Sequence, residues 1–348
     1  MKNFKKSKAL KAWSFLSCIL AFVLIFSACG KKEAPSNKTE EPVSKTEESV
    51  SAKEEPLRIL TLKGPTAMGM APMMAEDNPE RTFEIAGAPD VAVAKLLKGQ
   101  VDLCAIPANL ASVIYQKSDK GIKVLNINTL GVLYMVERGD KINSIKDLEG
   151  KTLVTSGKGV TPEYVLKYLL KANGLDETKV NIDWRAEHSE VVSAMIKNEK
   201  AIGLLPEPFV SVAKGKIKDL RSALDLTKAW DDLQKNNPEP SSLVMGVLVA
   251  RKEALKDKER IGKFLKDYEK SIEEVKADPE KAAKIIGEKD IVPEKVAKQA
   301  IPNCNMVFVK GEKMQAYLSG FLKVLFDQNP KSVGGQLPDG DFYWKAED

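Results

Sequence analysis

The stretch Leu97-Lys98-Gly99-Gln100-Val101-Asp102-Leu103-Cys104-Ala105-Ile106-Pro107 sets the reading of the whole chain. Gly99 stops a helix, because glycine takes the left-handed turn beyond a last helical residue without strain. Val101 to Ile106 is an apolar run of strand length, and Pro107 ends it because it has no N–H to give to a ladder. Working outward, Asp90 is expected to cap the helix that runs through Leu97. Thr82 to Ala86 reads as a strand before it. Leu57 to Leu62 is another, followed by Gly64-Pro65-Thr66 and a Met-rich helix start. Downstream come a helix over Asn109 to Gln116 and a strand over Lys123 to Ile127. This βαβα rhythm predicts a mostly parallel sheet with helices on both faces. In such sheets ligands sit beyond the carboxyl ends of the strands.

The same rhythm returns. Thr152 to Thr155 leads into Ser156-Gly157-Lys158-Gly159 and a helix from Pro162 to Ala172, stopped by Asn173-Gly174. Proline inside the start and glycine past the end fit the usual asymmetry of helix ends. Val180 to Trp184 is a strand, Ser189 to Lys197 an amphipathic helix, and Ala201 to Leu205 a strand closed by Pro206. Gly131 to Val136 and Val244 to Ala250 are apolar runs with strand character. The remainder is helical by its spacing, over Lys258–Lys276, Asp278–Ile286, Pro293–Ala300 and Gly311–Phe326.

The amino terminus is of another kind. Lys2, Lys5, Lys6, Lys8 and Lys11 precede an uncharged apolar stretch from Ala12 to Gly30 that ends in Phe26-Ser27-Ala28-Cys29-Gly30. A basic start, an apolar middle and small residues at the end make a secretory signal over residues 1–28. A cysteine directly after small residues resembles the lipobox of bacterial lipoproteins, with Phe26 where Leu is usual. The resemblance implies acylation of Cys29. The alternative is an uncleaved membrane anchor. Both place the rest outside the cell membrane. Residues 29–56 are rich in Glu, Lys, Ser, Thr and Pro, lack an apolar period, and are expected to form a solvated tether. The folded part, about 290 residues, begins near Leu57.

Of 54 basic side chains, five leave with the signal, so 49 remain against 49 acidic ones. A near-neutral mature domain argues against nucleic acid as partner. Once Cys18 is lost and Cys29 acylated, Cys104 and Cys304 remain. They read as buried free thiols, with pairing in an oxidising compartment as the alternative. Neither they nor the one histidine forms a metal motif, and no metal or cofactor is expected.

Beyond Leu97–Pro107, three further stretches carry a family resemblance: Leu60–Thr66, Ile145-Lys146-Asp147-Leu148-Glu149-Gly150-Lys151-Thr152-Leu153-Val154, and Ala201-Ile202-Gly203-Leu204-Leu205-Pro206-Glu207-Pro208-Phe209. In this order the chain resembles the solute-binding lipoproteins of bacterial ABC importers, of the nitrate, sulfonate, taurine and thiamine-precursor branch. The resemblance covers almost all of Leu57 to Asp348. It implies an α/β, two-lobed type II periplasmic-binding-protein-like fold joined by two hinge strands. Lobe one would be 57–133 and 248–348, and lobe two 134–247. It also implies a lipid-anchored, extracytoplasmic monomer that hands a small molecule to an ABC permease and its ATPase. Menaquinone-pathway dehydratases and the yeast-type thiamine-pyrimidine synthase share this architecture, so an enzyme is the rival reading, as is a surface sensor or adhesin. The lone histidine and the export signal speak against the enzyme. No run of cysteines like that of the thiamine-precursor branch is present.

Strand ends nominate the cleft. Lobe one should offer Thr66, Met68, Met70, Pro107, Ala108, Asn109, Asn128 and Thr129. Lobe two should offer Ser156, Gly157, Thr161, Glu187, His188, Glu207 and Phe209. Met68 and Met70 either line an adaptable pocket or belong to the core, whereas Met73 and Met74 read as core. His188 is either a polar loop residue or a cleft residue. Glu207, between two prolines, either meets a ligand donor or is a solvated or hinge-bonded carboxylate. Arg185 is the one arginine in these loops, which favours a neutral or weakly polar heterocycle over a sulfonate.

Overall fold

A computed structural model describes residues 55–235 and 241–345. The leader, Cys29 and nearly all of the tether lie outside the described residues. The elements run β1 (Leu57–Leu62), α1 (Pro65–Met68), α2 (Ala71–Ala75), β2 (Arg81–Ala86), α3 (Pro89–Leu97), β3 (Leu103–Pro107), α4 (Ala108–Lys117), β4 (Ile122–Leu130) and β5 (Leu133–Arg138). Then come β6 (Thr152–Ser156), α5 (Thr161–Ala172), β7 (Asn181–Arg185), α6 (His188–Lys197), β8 (Ile202–Pro206), α7 (Phe209–Lys216), β9 (Leu220–Asp225) and α8 (Leu226–Gln234). The chain closes with β10 (Val244–Arg251), α9 (Lys258–Ala277), α10 (Pro279–Glu288), α11 (Glu294–Ala300), β11 (Met306–Val309) and α12 (Gly311–Gln328).

Two sheets result, and each defines a lobe. Lobe one has the order β11-β4-β10-β3-β1-β2, and lobe two the order β7-β6-β8-β5-β9. Central strands are buried on both faces, as Leu103, Cys104, Ala105 and Ile106 of β3 are, because helices cover both sides. At the edge, β2 exposes Thr82 and Glu84. The expected two-lobed α/β architecture is present, but the sheets are mixed rather than mostly parallel. The βαβ units β1–β2, β1–β3, β6–β7 and β6–β8 are parallel. The strands that carry the chain between lobes run the other way: β10 lies antiparallel between β3 and β4, and β5 lies antiparallel between β8 and β9.

The outbound crossing is Gly131-Val132, between β4 and β5. The return enters lobe one at Val244, which pairs with Leu130. Gly131 is there for space, since a Cβ would lie 2.1 Å from Thr227 Oγ1. Its carbonyl accepts from Asn305 Nδ2 at 3.1 Å. Beside the crossings the lobes share apolar core. Trp230 of α8 is fully buried with its ring 4.7 Å from Tyr168 of α5 and 5.5 Å from Phe321 of α12. Its indole N–H donates to the Ser241 carbonyl at 3.0 Å, so the large ring is buried without an orphaned donor. Cys104 and Cys304 are buried and free, and burial pushes the Cys104 thiol up to about 12.

Candidate functional site

Strand ends and helix starts of both lobes converge on a cavity of about 450 Å³, within the range of small-molecule sites. Lobe one contributes Thr66 after β1, Gly87-Ala88-Pro89 after β2, Ile106 and Pro107 at the end of β3, and Thr129. Lobe two contributes Ser156 and Gly157 after β6, Thr161 at the start of α5, Glu187 and His188 after β7, and Glu207 and Phe209 after β8. Val132 of the crossing forms part of the wall.

Each polar group here is held by a neighbour. Thr66 Oγ1 donates to the Leu62 carbonyl at 2.9 Å, and Thr129 Oγ1 donates to Asn128 Oδ1 at 3.0 Å. Ser156 Oγ lies 2.5 Å from His188 Nδ1, and the imidazole packs on Phe209 with ring centroids 4.8 Å apart. Although part of His188 meets solvent, this packing desolvates the ring and lowers its pKa to about 4. The ring is therefore neutral near pH 7, with Nδ1 engaged by Ser156. Glu207 is 3% exposed. Burial raises its pKa, and the bonds it accepts from Ser211 N (3.1 Å) and Ser211 Oγ (3.2 Å) partly offset that. Its own N–H donates to the Val132 carbonyl at 3.0 Å, which ties the end of β8 to the crossing.

Five expected cleft residues do not line the cavity. Met68 and Met70 are fully buried in the core of lobe one. The reason is the turn between α1 and α2: Ser271 of α9 donates to the Gly69 carbonyl at 2.8 Å and draws this segment inward. Met68 Sδ ends 3.9 Å from Cys304 Sγ. Asn109 is also fully buried and spans the lobes instead of lining the cavity. Thr161 Oγ1 donates to its Oδ1 at 3.1 Å, and its Nδ2 donates to the Ser332 carbonyl at 3.1 Å and to the Gly159 carbonyl at 3.5 Å. Ala108 and Asn128 are buried behind the cavity. Arg185 turns to Asp183 on exposed β7. The expected helix cap Asp90 lies inside the first turn of α3.

The cavity has further lining residues. Gly87 to Pro89 follow β2 and obey the strand-end rule. Met245 and Gly246 do not, because β10 is antiparallel and its beginning borders the cavity. Gly246 permits a close approach there: a Cβ would lie 2.6 Å from Asn128 Oδ1. Asp290 to Pro293, between α10 and α11, reach the cavity only because these helices fold back over the mouth, where α11 packs against α7. No local pattern signals that.

Two lobes around a shared cleft, with mixed sheets and paired crossings, define the periplasmic-binding-protein architecture. The chain belongs to the NMT1/THI5-like family, which matches residues 84–282. Its fold is similar to that of an ABC transporter structure from Parabacteroides distasonis, at TM-score 0.71 and 23% identity over 84% of this chain and 99% of that one. It is also similar to the periplasmic aliphatic sulphonate binding protein SsuA from Escherichia coli, at TM-score 0.66 and 17% identity over 84% and 92%. A third is the ligand binding component of an ABC-type import system from Staphylococcus aureus, at TM-score 0.63 and 15% identity over 84% and 97%. No curated protein sequence matches the chain.

Proposed function

We propose that the chain is the extracytoplasmic solute-binding component of an ABC importer, anchored by a lipid on Cys29. It captures a small molecule between its lobes and delivers it to a membrane permease and its ATPase. The observation that carries this reading is the cavity walled by both lobes, with Thr66 and Thr129 on one side and Ser156, Thr161, His188 and Glu207 on the other. A molecule touching both walls binds the closed arrangement better than the open one, so it shifts the population toward closure. Family membership, the import-system relatives and the secretory leader support the same reading. The test is a solute screen on the purified protein. A cognate solute raises the melting temperature by mass action, compacts the protein in small-angle scattering, and is recovered unchanged. Binding without compaction would count against the reading.

An enzyme on the same fold is the second reading, and Ser156–His188 is what favours it, since a serine bonded to a neutral imidazole is half of a nucleophile–base arrangement. Among the described residues no carboxylate bonds to the ring to orient it. Steady formation of a new product, seen by mass spectrometry, would bring this reading forward.

A further inference from the structure

The cleft's own charges, on the solute-binding reading above, select what it takes. Helix starts ordinarily attract anions through their free N–H groups and dipole. Here the chain's own carboxylates already accept from backbone N–H groups at three of the starts that border the cleft. At α5, Glu163 Oε2 accepts from Gly159 N at 2.6 Å. At α6, Glu190 Oε2 accepts from Ala186 N at 2.9 Å and Glu187 N at 3.4 Å. At α7, Glu207 accepts from Ser211 N. The starts of α1, α3 and α11 also border the cavity and carry no side-chain cap. The start of α4 lacks an acidic residue, but Ala108 and Asn109 there are wholly buried and outside the cavity wall.

Charge on the wall itself is of the same sign. Glu187, Glu207 and Asp290 line the cavity, and Lys63 is the one basic side chain among its described lining residues. Lys63 is paired with Asp290 at 3.3 Å, at the rim. Glu207 differs from the other two acids in being almost fully buried, and the described ion pairs give it no basic partner. A buried carboxylate without a counter-charge is costly. The remaining wall is apolar, formed by Ile106, Val132, Val212, Met245 and Val292 with the Phe209 ring.

We infer that the cleft takes an apolar amine, whose body fills the apolar wall and whose protonated nitrogen faces Glu207, and that it rejects sulfonates and carboxylates. An organic anion would find the starts of α5, α6 and α7 already engaged and three carboxylates around it. An ammonium group supplies the partner that Glu207 lacks, and a charge-assisted hydrogen bond between them is stronger than a neutral one.

Benzylamine, benzyl alcohol and benzenesulfonate present one ring with three charges, and calorimetry at neutral pH on the full chain purified from membranes compares them. Benzylamine is expected to bind about tenfold or more tighter than benzyl alcohol, and benzenesulfonate not at all. In Glu207→Gln the advantage of the amine should vanish, while the retained melting transition shows that the variant is folded. The inference is overturned if benzenesulfonate binds as well as the amine, if the amine keeps its advantage in Glu207→Gln, or if none of the three binds. Native mass spectrometry adds a second arm. A co-purifying amine supports the inference, whereas a co-purifying organic anion overturns it and leaves the solute-binding reading standing. Turnover of the bound compound would overturn both.

Discussion

Thr161 donates its hydroxyl hydrogen to Asn109 Oδ1 at 3.1 Å, across the boundary between the two lobes and with both side chains wholly buried. Thr161 opens α5 and lines the cleft, while Asn109 stands in the first turn of α4 and does not. The same asparagine holds the carbonyls of Gly159 and Ser332. Contact between the lobes is thereby tied to a residue that does not line the cavity.

Removing either partner leaves a buried polar group unpaired, which costs about 1–3 kcal/mol. Asn109→Ala and Thr161→Val should each lower the melting temperature of the ligand-free protein and raise its radius of gyration. Because the two share one interaction, the double variant should lose less than the two single losses together. Additive losses in thermal unfolding would separate the residues.

Glu207 leads to the opposite expectation for stability. Its carboxyl pKa is raised in the folded protein, chiefly by burial. Such a group contributes stability when protonated, and loses it as pH rises through the folded pKa. As pH rises above the ordinary carboxyl range the folded state therefore loses stability that Gln would keep. Glu207→Gln should melt higher than the parent at pH 7, and the difference should shrink on acidification. A lower melting temperature at pH 7 would mean that the Ser211 bonds need the carboxylate.

His188 titrates in the other sense. Its folded pKa of about 4 lies below the ordinary 6.5. Between these values the unfolded chain binds the extra proton, so stability is full above pH 6.5 and falls as pH drops toward 4. The loss is at most about 3 kcal/mol. His188→Gln should flatten this slope. The measurement is clearest on a Glu207→Gln background, where the opposing slope is gone. An unchanged profile would place the imidazole in solvent-like surroundings.

Gly131 is the steric test of the crossing. A methyl group there would overlap Thr227 Oγ1 at 2.1 Å and Thr227 Cγ2 at 2.8 Å. Gly131→Ala should destabilise by about 1–3 kcal/mol through overpacking. Thr227 Oγ1 is itself buried without a hydrogen-bond partner among the described residues, so Thr227→Ala costs little and makes room. Chemical denaturation should find Gly131→Ala/Thr227→Ala closer to the parent than Gly131→Ala alone.

Local pattern alone determined the alternation of elements. Leu97 to Pro107, Thr152 to Gly159 and Ala201 to Pro206 declare strand, turn and helix through apolar runs, glycines and prolines, because those preferences act within a few residues. The rule that parallel strands point their carboxyl ends at a ligand then placed Thr66, Thr129, Ser156, Thr161, His188 and Glu207 on the cavity wall. What the rule could not reach depends on contacts between distant segments. Gly246 borders the cavity only because β10 returns antiparallel between β3 and β4. Met68 and Met70 are core because α9 holds the Gly69 carbonyl. Asn109 clasps α5 rather than lining the cavity because the lobes meet there. Nor does sequence order reveal that Glu163, Glu190 and Glu207 sit on the helix starts around the cleft. A side chain's identity states which bonds it can make, and only the packing of both lobes decides which partner is within reach.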